Sequence, residues 1–228
     1  MSAHPPLDAI FWNTLTGAHA GFATGAGAAR RYAPGFSPII AFADNRQPDF
    51  AALAPFCAPG EHFYCEGWQG ACPDGWRIDA ETTMFRMVWD AAVATCDLAP
   101  DAIQLTAEHG DAAMALAQLC KPGPFGPRTI ELGEYYGVFE DGQLIAMAGQ
   151  RMRVPGYTEV SGVCTHPEFQ GRGLARQLMS KLIHRQMQQQ QLPFLHVMRS
   201  NDAAHQFYLR MGFTDYIEST VRVLTRVG

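Results

Sequence analysis

The sequence predicts an α+β protein, with a mixed, mostly antiparallel sheet flanked by helices. Residues 135–140 alternate into a turn at Asp141-Gly142, and 143–152 follow, which predicts a hairpin because Asp-Gly is the strongest short hairpin signal. A second turn at Pro155-Gly156 leads into a further alternating run, 157–165. Apolar residues then recur every three or four positions from 174 to 187, which is typical of a helix with one buried face.

The first third of the chain has dense Gly and Pro punctuation, which predicts long loops between short elements. Two helices are expected, at 8–15 and 49–56, and three strands, at 37–42, 61–66 and 83–89. A boundary near 96–100 divides the chain into an α/β region, 1–97, and a second region, 98–228. Whether the first region is a separate domain or extends the same sheet stays open at this point.

The second region has a clearer pattern. A strand at 103–106 and a helix at 111–119 precede the loop 121–128, whose three prolines exclude a regular helix. The hairpin and the third strand follow, then the helix, and then another strand at 193–197. Three consecutive antiparallel strands are therefore expected in the middle of this region.

Composition and charge exclude several classes of protein. Hydrophobic residues make up 47% of the chain and charged residues 17%, which is too apolar for a disordered chain. No apolar run approaches the ~20 residues of a membrane-spanning helix. The first six residues lack the pattern of a secretory signal, so a cytoplasmic location is expected. Residues 1–98 hold five Lys/Arg and ten Asp/Glu and the remainder twelve of each, which argues against nucleic acid as a partner.

The six cysteines are few and irregularly spaced, so we expect reduced thiols. They are Cys57, Cys65, Cys72, Cys96, Cys120 and Cys164. His62, Cys65 and Cys72 could in principle ligate a metal, but no C-x₂-C pair accompanies them, and no metal is expected.

A glycine-containing turn, 170–173, opens a helix directly after a strand. Such a helix start presents unpaired N–H groups and a positive dipole end, which together bind anions. Arg172 and Arg176 lie there against the dipole, which either a bound phosphate or simple solvation would resolve. The turn fits neither the P-loop pattern nor the dinucleotide fingerprint, which needs a third glycine at the position of Arg176.

The turn resembles the coenzyme-binding signature of the GCN5-related N-acetyltransferases, Gln/Arg-x-x-Gly-x-Gly/Ala, in which Gln170, Gly173 and Ala175 occupy the defining positions. A second motif follows the strand 193–197 in the correct order. Its residues, Asn201, Ala204, Phe207, Tyr208, Gly212 and Phe213, resemble the Asn…Ala…Tyr…Gly-Phe pattern of the family, in the wording of the FR47-like branch.

The resemblance covers about 103–227 and implies the element order β-α-(loop)-β-β-β-α-β-α-β-β. It also implies that 98–228 is the N-acetyltransferase domain and that 1–97 is an accessory region or a degenerate half of the same kind. Acetyl-coenzyme A is the implied cosubstrate, without a metal. The implied coenzyme-binding residues are Val163, Cys164, Thr165, Gln170, Gly171, Arg172, Gly173, Leu174, Ala175, Arg176, Asn201 and Phe207.

The resemblance also implies two catalytic residues. Tyr208 would be the general acid near the coenzyme sulfur, and its alternative is a packed core tyrosine. Glu159 would be the base that deprotonates the amine through water, and its alternative is an exposed or salt-bridged strand glutamate. Asn201 either caps a helix, binds the pantetheine arm, or does both.

Strand alternation assigns side chains to two faces of 157–165. The expected faces are Glu159, Ser161, Val163 and Thr165 on one side and Val160, Gly162 and Cys164 on the other. Cys164 with His166 also raises the hypothesis of a covalent acyl carrier, but no third orienting group is evident and a structural thiol is favoured.

The expected acceptor pocket lies between the loop 121–128, the strand ends near residue 135 and the turn near 157. Its candidate contacts are Arg128, Tyr135 and Tyr157. The predicted function is acetyl transfer to a primary amine of a small or amino-acid-like compound. A protein or peptide acceptor and a non-catalytic acyl-coenzyme A sensor are the alternatives. A homodimer stays open, and no membrane partner is expected.

Overall fold

A computed structural model describes residues 2–93 and 95–228 of the chain. Eleven strands form a single sheet with helices on both faces. The strands are β1 Ala23–Thr24, β2 Ala29–Tyr32, β3 Ile39–Phe42, β4 His62–Glu66, β5 Trp76–Trp89, β6 Ile103–Leu105, β7 Tyr135–Glu140, β8 Gln143–Val154, β9 Tyr157–Thr165, β10 Leu192–Met198 and β11 Phe213–Arg226. The helices are α1 Pro5–Asp8, α2 Ile10–Thr16, α3 Phe50–Leu53, α4 Gly110–Cys120, α5 Leu174–Gln188 and α6 Asp202–Met211. The predicted α+β class, with a mostly antiparallel sheet, is confirmed.

Strands from both regions of the chain alternate in the middle of the sheet. The order is β1-β2-β3-β4-β11-β5-β10-β9-β8-β7-β6, so β5 of the first region lies between β11 and β10 of the second. Its pairing with β11 is antiparallel and runs from Phe213 opposite Trp89 to Arg226 opposite Trp76. The division at residue 97 therefore separates two parts of the sequence that share one sheet.

The sheet has an internal two-fold pattern. In each region a helix links two parallel strands, α3 between β3 and β4 and α5 between β9 and β10. The long strand of each region crosses over: β5 pairs with β10, and β11 pairs with β4. The order β2-β3-β4-β11 on one side thus mirrors β8-β9-β10-β5 on the other.

The C-terminal end of the chain differs from the expected order. A single strand, β11, replaces the two strands predicted after the last helix, because 213–226 contains no Gly or Pro to break it. Register shifts near Asp215 and Val223 absorb its irregularity. Strand β5 likewise begins seven residues before its predicted start, since its polar first half pairs along the whole of β11.

A bulge at Gly162 overturns the predicted faces of β9. Between the pairs Cys164–Met147 and Ser161–Gly149, β9 contains one more residue than β8, and Gly162 has φ +64°. Val160 and Val163 consequently pack on the same apolar cluster, beneath α5. Cys164 packs on the other face, with residues of α4. The strict alternation predicted for this strand is therefore wrong beyond Ser161.

Among the described residues, no helix is long and apolar enough to cross a membrane. All six cysteines are free.

Replacing Gly149 by Ala should destabilise the fold, because a Cβ built there would lie 2.1 Å from Cγ of the fully buried Tyr135. Overpacking of this kind costs about 1–3 kcal/mol of unfolding free energy. Gly21→Ala is the matched control, since its Cβ would meet nothing within 4 Å. Urea denaturation of the two variants measures the difference, and equal stabilities would contradict this account of the packing.

Candidate functional site

A groove of about 630 Å³ lies where β9 ends and α5 begins, and we call it the loop groove. It brings together most of the predicted coenzyme-binding positions. Its lining consists of Cys120, Val163, Cys164, Thr165, Phe169, Gln170, Gly171, Arg172, Gly173, Leu174, Ala175, Arg176, Ala204, Phe207 and Tyr208. Of the predicted set, Asn201 alone does not line this groove.

The N-terminus of α5 opens onto the loop groove without a cap. Gly171 and Gly173 have φ +78° and +76°, and Cβ atoms there would meet no backbone, so the left-handed conformation is what requires glycine. Gly173 occupies the N-cap position, and no side chain satisfies the first amides of the helix. By contrast, the Asp49 side chain caps α3, the equivalent helix of the first region, by accepting from the Ala52 amide. Only α5 of this pair presents free N–H groups to an anion.

The two arginines of the loop have different surroundings. Arg172 precedes the helix and pairs with Glu140 at 2.7 Å on the surface, so the predicted charge conflict at this position is already resolved within the chain. Arg176 lies in the first turn of α5 and lines the groove. It has no ion-pair partner among the described residues.

The sheet splits beside the loop groove. Strands β9 and β10 pair in parallel only as far as Glu159 opposite Phe194, after which they diverge. The main chain of 160–165 is thus unpaired on the side that faces β10, and it runs along the groove. The Thr165 hydroxyl, which is buried there, has no hydrogen-bond partner in the part of the chain that the structure describes. These groups fit a ligand arm bearing amides, because an extended segment can pair with an open strand edge.

A second cavity, of about 340 Å³, continues from the split toward the first region of the chain, and we call it the inner cavity. Its wall is polar and apolar in nearly equal parts, and Phe11, Tyr64 and Met84 bring the first region to it. Much of the remaining wall of the cavity is formed by the loop 121–124, Ser161, His196 and Asn201. None of the described residues that line it is an aspartate or a glutamate.

The loop groove and the inner cavity share four lining residues, Cys120, Val163, Ala204 and Tyr208. This shared wall is where a ligand in one cavity would meet a ligand in the other, and we call it the junction. Two of its four side chains, Cys120 and Tyr208, can ionise. The junction therefore places two ionisable side chains on the wall that the two cavities share.

Tyr208 has the environment expected of a proton donor. Burial, with a smaller contribution from Cys164, raises its pKa to about 12, so the phenol is protonated at neutral pH. Its hydroxyl has no hydrogen-bond partner among the described residues, although its ring packs near Phe207 and Phe213. The ring of Tyr208 thus belongs to the core, and its hydroxyl end belongs to the site.

Asn201 caps α6, since its Oδ1 accepts a hydrogen bond of 3.1 Å from the Ala204 amide. The cap hypothesis is therefore confirmed. The same residue lines the inner cavity, and its contact with the pantetheine arm stays a prediction.

Glu159 is 1% exposed and its carboxylate is saturated by donors. A bulge in β8 places both Arg151 and Met152 opposite it. Arg151 donates two hydrogen bonds, of 2.7 and 2.9 Å, and the Met152 amide donates one of 3.2 Å. Burial alone would raise the pKa of Glu159, but Arg151 and the hydrogen bond from His196 hold it at about 2.

These surroundings do not suit Glu159 to the role of general base. A base with a pKa of about 2 binds a proton too weakly at neutral pH, and no oxygen of this carboxylate is left free. In the structure Glu159 forms a salt bridge, which is the alternative role given for it above.

His196, on β10, belongs to the same arrangement. The Nε–H of Arg86 can only donate, and it points to His196 Nε2 at 3.1 Å, so Nε2 accepts. Nδ1 then carries the ring proton and donates to Glu159 at 2.7 Å. Both ring nitrogens are engaged, and in this tautomer the imidazole is neutral.

A row of polar side chains extends this contact across six adjacent strands, and we call it the polar row. Arg86 also binds Glu66, which in turn accepts from Ser219. The polar row consists of Arg151 on β8, Glu159 on β9, His196 on β10, Arg86 on β5, Ser219 on β11 and Glu66 on β4.

Cys164 is buried, and its free thiol lies beside that of Cys120. The hydrogen bond to Cys120, together with burial, raises the pKa of Cys164. The His166 side chain instead accepts from the Glu168 amide at 3.3 Å and packs near Phe169. The structure therefore does not pair Cys164 with His166, and the favoured interpretation of Cys164 as a structural thiol fits its position.

None of the three predicted acceptor contacts lines the inner cavity, and their contact with an acceptor stays a prediction. Arg128 forms an ion pair with Glu131 and lies over the Phe36 ring. Tyr135 is fully buried, and burial raises its pKa. The Tyr157 hydroxyl contacts His4 Nδ1 at 2.9 Å, which ties it to the N-terminal segment.

Several residues of the site carry no signal in the sequence. Phe11 and Met84 reach the inner cavity only through the insertion of β5 and the packing of α2. Cys120 ends a helix without any motif around it. His196 stands in a strand that alternation alone marks as half-buried, and its pairing with Glu159 depends on the parallel contact of β9 and β10.

Sequence comparison supports the resemblance. Residues 135–223 match the sequence model of the FR47-like protein family, so the predicted branch is confirmed. No curated protein matches the chain.

Among solved structures, the chain is similar to an acetyltransferase assigned to the GNAT family from Novosphingobium aromaticivorans. The two share 33% identity with a TM-score of 0.87, over 98% of this chain and 99% of the other. A GCN5-related N-acetyltransferase from Kribbella flavida is 19% identical, with a TM-score of 0.60 over 100% and 97% of the two chains. A GCN5-related N-acetyltransferase-like protein from Streptococcus suis is 13% identical, with a TM-score of 0.61 over 96% and 93%. The last two show the fold alone.

Replacing Glu159 by Gln should cost about 3–5 kcal/mol of unfolding free energy at neutral pH, because Arg151 is left buried without its partner. The folded-state pKa of Glu159, about 2, lies below its ordinary value of 4.5. Its stabilisation is therefore present above about pH 4.5 and is lost as the pH falls toward 2.

Urea denaturation across this range measures both effects. The variant should be less stable at pH 7 and should lose less stability than the wild type below pH 4.5. Glu131→Gln, which breaks the exposed pair with Arg128, is the control and should change stability by at most about 1 kcal/mol. A variant as stable as the wild type at pH 7 would show that the buried pair does not hold the sheet.

Proposed function

The chain belongs to the GCN5-related N-acetyltransferase (GNAT) family, and from that membership we propose that it transfers an acetyl group from acetyl-coenzyme A to a primary amine. One observation carries the proposal: an uncapped helix N-terminus, a split in the sheet and a junction with a protonated phenol lie along one continuous path. Each part of that path matches one part of the reaction.

The loop groove supports binding of the coenzyme as a substrate. The amides at the start of α5 would hold its pyrophosphate, since free N–H groups and the helix dipole both favour negative charge. The unpaired main chain of Val163 and Thr165 would bond to the pantetheine amides. This arrangement brings the thioester to the junction, beside Tyr208.

The transfer needs three events at the junction: deprotonation of the amine, attack on the thioester carbonyl and protonation of the leaving thiolate. In our proposal Tyr208 donates its phenolic proton to the coenzyme sulfur as the carbon–sulfur bond breaks. The second proton lost by the attacking nitrogen then restores the phenol. The first proton, lost before attack, leaves to solvent, so one proton is released for each amide formed.

The inner cavity supports a small acceptor. It is enclosed by the first region on one side and by the loop 121–124 on the other, and its volume suits a compact molecule. Its lining combines apolar side chains with polar ones, and Lys121 forms no ion pair with any described residue. An amine with an apolar body and a carboxylate within reach of Lys121 fits these features, which favours an amino-acid-like compound.

We also propose that 1–97 derives from a degenerate second half of the same kind. The two-fold pattern of the sheet supports this idea, since α3 and its parallel strands correspond to α5 and its own. The equivalent helix start is occupied by Asp49, whose carboxylate would repel a phosphate. The first region would therefore supply a wall of the inner cavity rather than a second coenzyme site.

Calorimetric titration with acetyl-coenzyme A, coenzyme A and ATP in parallel tests the proposal. Acetyl-coenzyme A and coenzyme A should bind, and Gly173→Asp should abolish this binding, because it places a carboxylate and a strained side chain at the helix start. Gly60→Asp is the matched control, with the same charge at φ +86° in open space. Absence of binding by the wild type would leave only a structural role for the loop.

Tyr208→Phe tests the acid. It should lower kcat by about 10²-fold or more, as expected for loss of a general acid, while the Kd for acetyl-coenzyme A changes little. The assay follows release of coenzyme A thiol with a panel of primary alkylamines and amino acids. Tyr216→Phe, at a tyrosine outside both cavities, is the control. An unchanged kcat in Tyr208→Phe would remove this residue as the acid.

If the wild type binds acetyl-coenzyme A but acetylates nothing in this panel, peptides with free N-termini or lysines should be tried next. Binding without any turnover would favour the non-catalytic sensor.

A further inference from the structure

The first region contains a cavity whose place in the sheet corresponds to that of the inner cavity. Strands β3 and β4 pair in parallel only as far as Ile40 opposite Cys65, and β9 and β10 only as far as Glu159 opposite Phe194. A cavity of about 240 Å³ lies where β3 and β4 diverge, and we call it the mirror pocket. It shares one lining residue, Phe11, with the inner cavity and none with the loop groove.

The mirror pocket has no uncapped helix start beside it. The helix that follows β3 is α3, and Asp49 caps it by accepting from the Ala52 amide, which disfavours a phosphate there. The volume of the pocket also lies below the range of about 300–1,000 Å³ that is typical of sites for drug-sized ligands. A ligand of this pocket is therefore small and is not the coenzyme.

Glu66 supplies the mirror pocket with a carboxylate oxygen that has no partner. The Glu66 side chain is 9% exposed and lines the pocket. Its Oε1 accepts from both Arg86 and Ser219, whereas its Oε2 accepts from no group in the described part of the chain. Oε2 nevertheless keeps accessible surface. Glu159, the other carboxylate of the polar row, has both oxygens engaged. The polar row thus ends at an acceptor that still needs a donor.

The charges around the mirror pocket favour a cation. The charged side chains of its described lining are Asp8, Glu66 and Arg86, which together leave one negative charge. Arg86 is committed to the polar row, since it donates to His196, to the Leu7 carbonyl and to Glu66. A donor that carries a positive charge can therefore complete the shell of Glu66 and also balance this excess.

The rest of the wall is more apolar than polar, and aromatic side chains contribute much of it. Phe11 and Trp12 of α2 lie there with Phe42 of β3. Arg30 already lies over the Trp12 ring, at 5.6 Å from its centroid, so the positive charge of a ligand is better matched by Glu66 than by that ring. The wall fits a short apolar body, and the carboxylate fits an ammonium group.

We propose that the mirror pocket binds a small primary ammonium ion through Glu66. One N–H of the ligand donates to Oε2 of Glu66, and its alkyl chain packs against Phe11 and Phe42. The site is distinct from the acceptor position in the inner cavity, and its ligand is bound without being acetylated. It does not depend on the transfer reaction proposed above, because no coenzyme takes part in it.

NMR of the tryptophan indole N–H groups tests the site, with n-butylammonium chloride as the probe. Of the four tryptophans, Trp12 alone lines the mirror pocket, and none lines the loop groove or the inner cavity. The Trp12 resonance, identified by its absence in Trp12→Phe, should shift saturably while the other three stay in place. Neutral 1-butanol and tetramethylammonium, which has no N–H, should bind at least about 10-fold more weakly.

Two variants and a matched control locate the ligand. Glu66→Gln should weaken binding by about 10-fold or more, because the charge-assisted hydrogen bond is lost. That change also removes the partner of the buried Arg86, so a second variant leaves their pair intact. Ile217→Lys, at a 41% exposed residue of the pocket, brings a competing ammonium to Glu66 and should abolish the Trp12 shift. Ile103→Lys, at a 49% exposed residue outside all three cavities, should behave as the wild type does.

Three results would overturn the proposal. They are the absence of a saturable Trp12 shift in the wild type, an equal affinity for 1-butanol, and an unchanged affinity in Ile217→Lys. The last result would place the ligand in the inner cavity, which shares Phe11 with the mirror pocket. Calorimetry with acetyl-coenzyme A tests the transferase separately, and its Kd should be the same in Ile217→Lys as in the wild type. Failure of the wild type to bind the coenzyme would count against the proposed function and would leave the butylammonium titration unaffected.

Discussion

The polar row is the constraint on which the rest of this structure depends. It contributes one side chain from each of six adjacent strands, and the charged members are buried, so each must keep its partner. Its central carboxylate, Glu159, is the last residue of β9 that pairs with β10. Arg151 and His196 bind it from the strands on either side. The row thus ties three strands together at the point where the sheet begins to split, which confines the opening to the end that faces the loop groove.

The split has a functional consequence only because of what lies at its two ends. At the outer end, α5 begins without a cap, whereas the corresponding helix of the first region begins with Asp49 bound to its own amide. At the inner end, β5 and α2 of the first region wall off a cavity that the second region alone would leave open. The crossover of β5 and β11 is what joins the two. One region therefore presents an uncapped helix start, and the other forms part of the wall of the inner cavity.

Local signals in the sequence predict the parts of this molecule whose structure is decided locally. The hairpin at Asp141-Gly142 and the strand 157–165 are predicted correctly, as are the glycine turn and the Asn201 cap, because turn and cap chemistry fixes each of them. The failures have tertiary causes. The bulge at Gly162 reverses the expected faces of Val163 and Cys164 relative to Val160. A prediction from strict alternation fails there, because it assumes that β9 has no extra residue relative to β8. The single long β11 and the early start of β5 depend on their mutual pairing, which no local pattern reveals. The predicted loop 121–128 does supply part of the wall of the inner cavity, but Phe11, Tyr64 and Met84, which are remote in sequence, supply another part.

The two predicted catalytic residues differ in their surroundings for a related physical reason. Tyr208 was assigned from a helix motif, and a helix places its side chains by spacing alone, so the phenol reaches the junction. Glu159 was assigned from a strand, where the role of a carboxylate depends on its neighbours across the sheet. Here those neighbours are one cation, Arg151, and a neutral imidazole, His196. Arg86, on the far side of His196, brings Glu66 into the same row, so that two positive and two negative charges cancel. Beneath the inner cavity there is accordingly no net charge to set the protonation of a bound amine. The two ionisable side chains of the junction, the Cys120 thiol and the Tyr208 phenol, are likewise neutral when protonated, so neither adds a charge to the wall that the two cavities share.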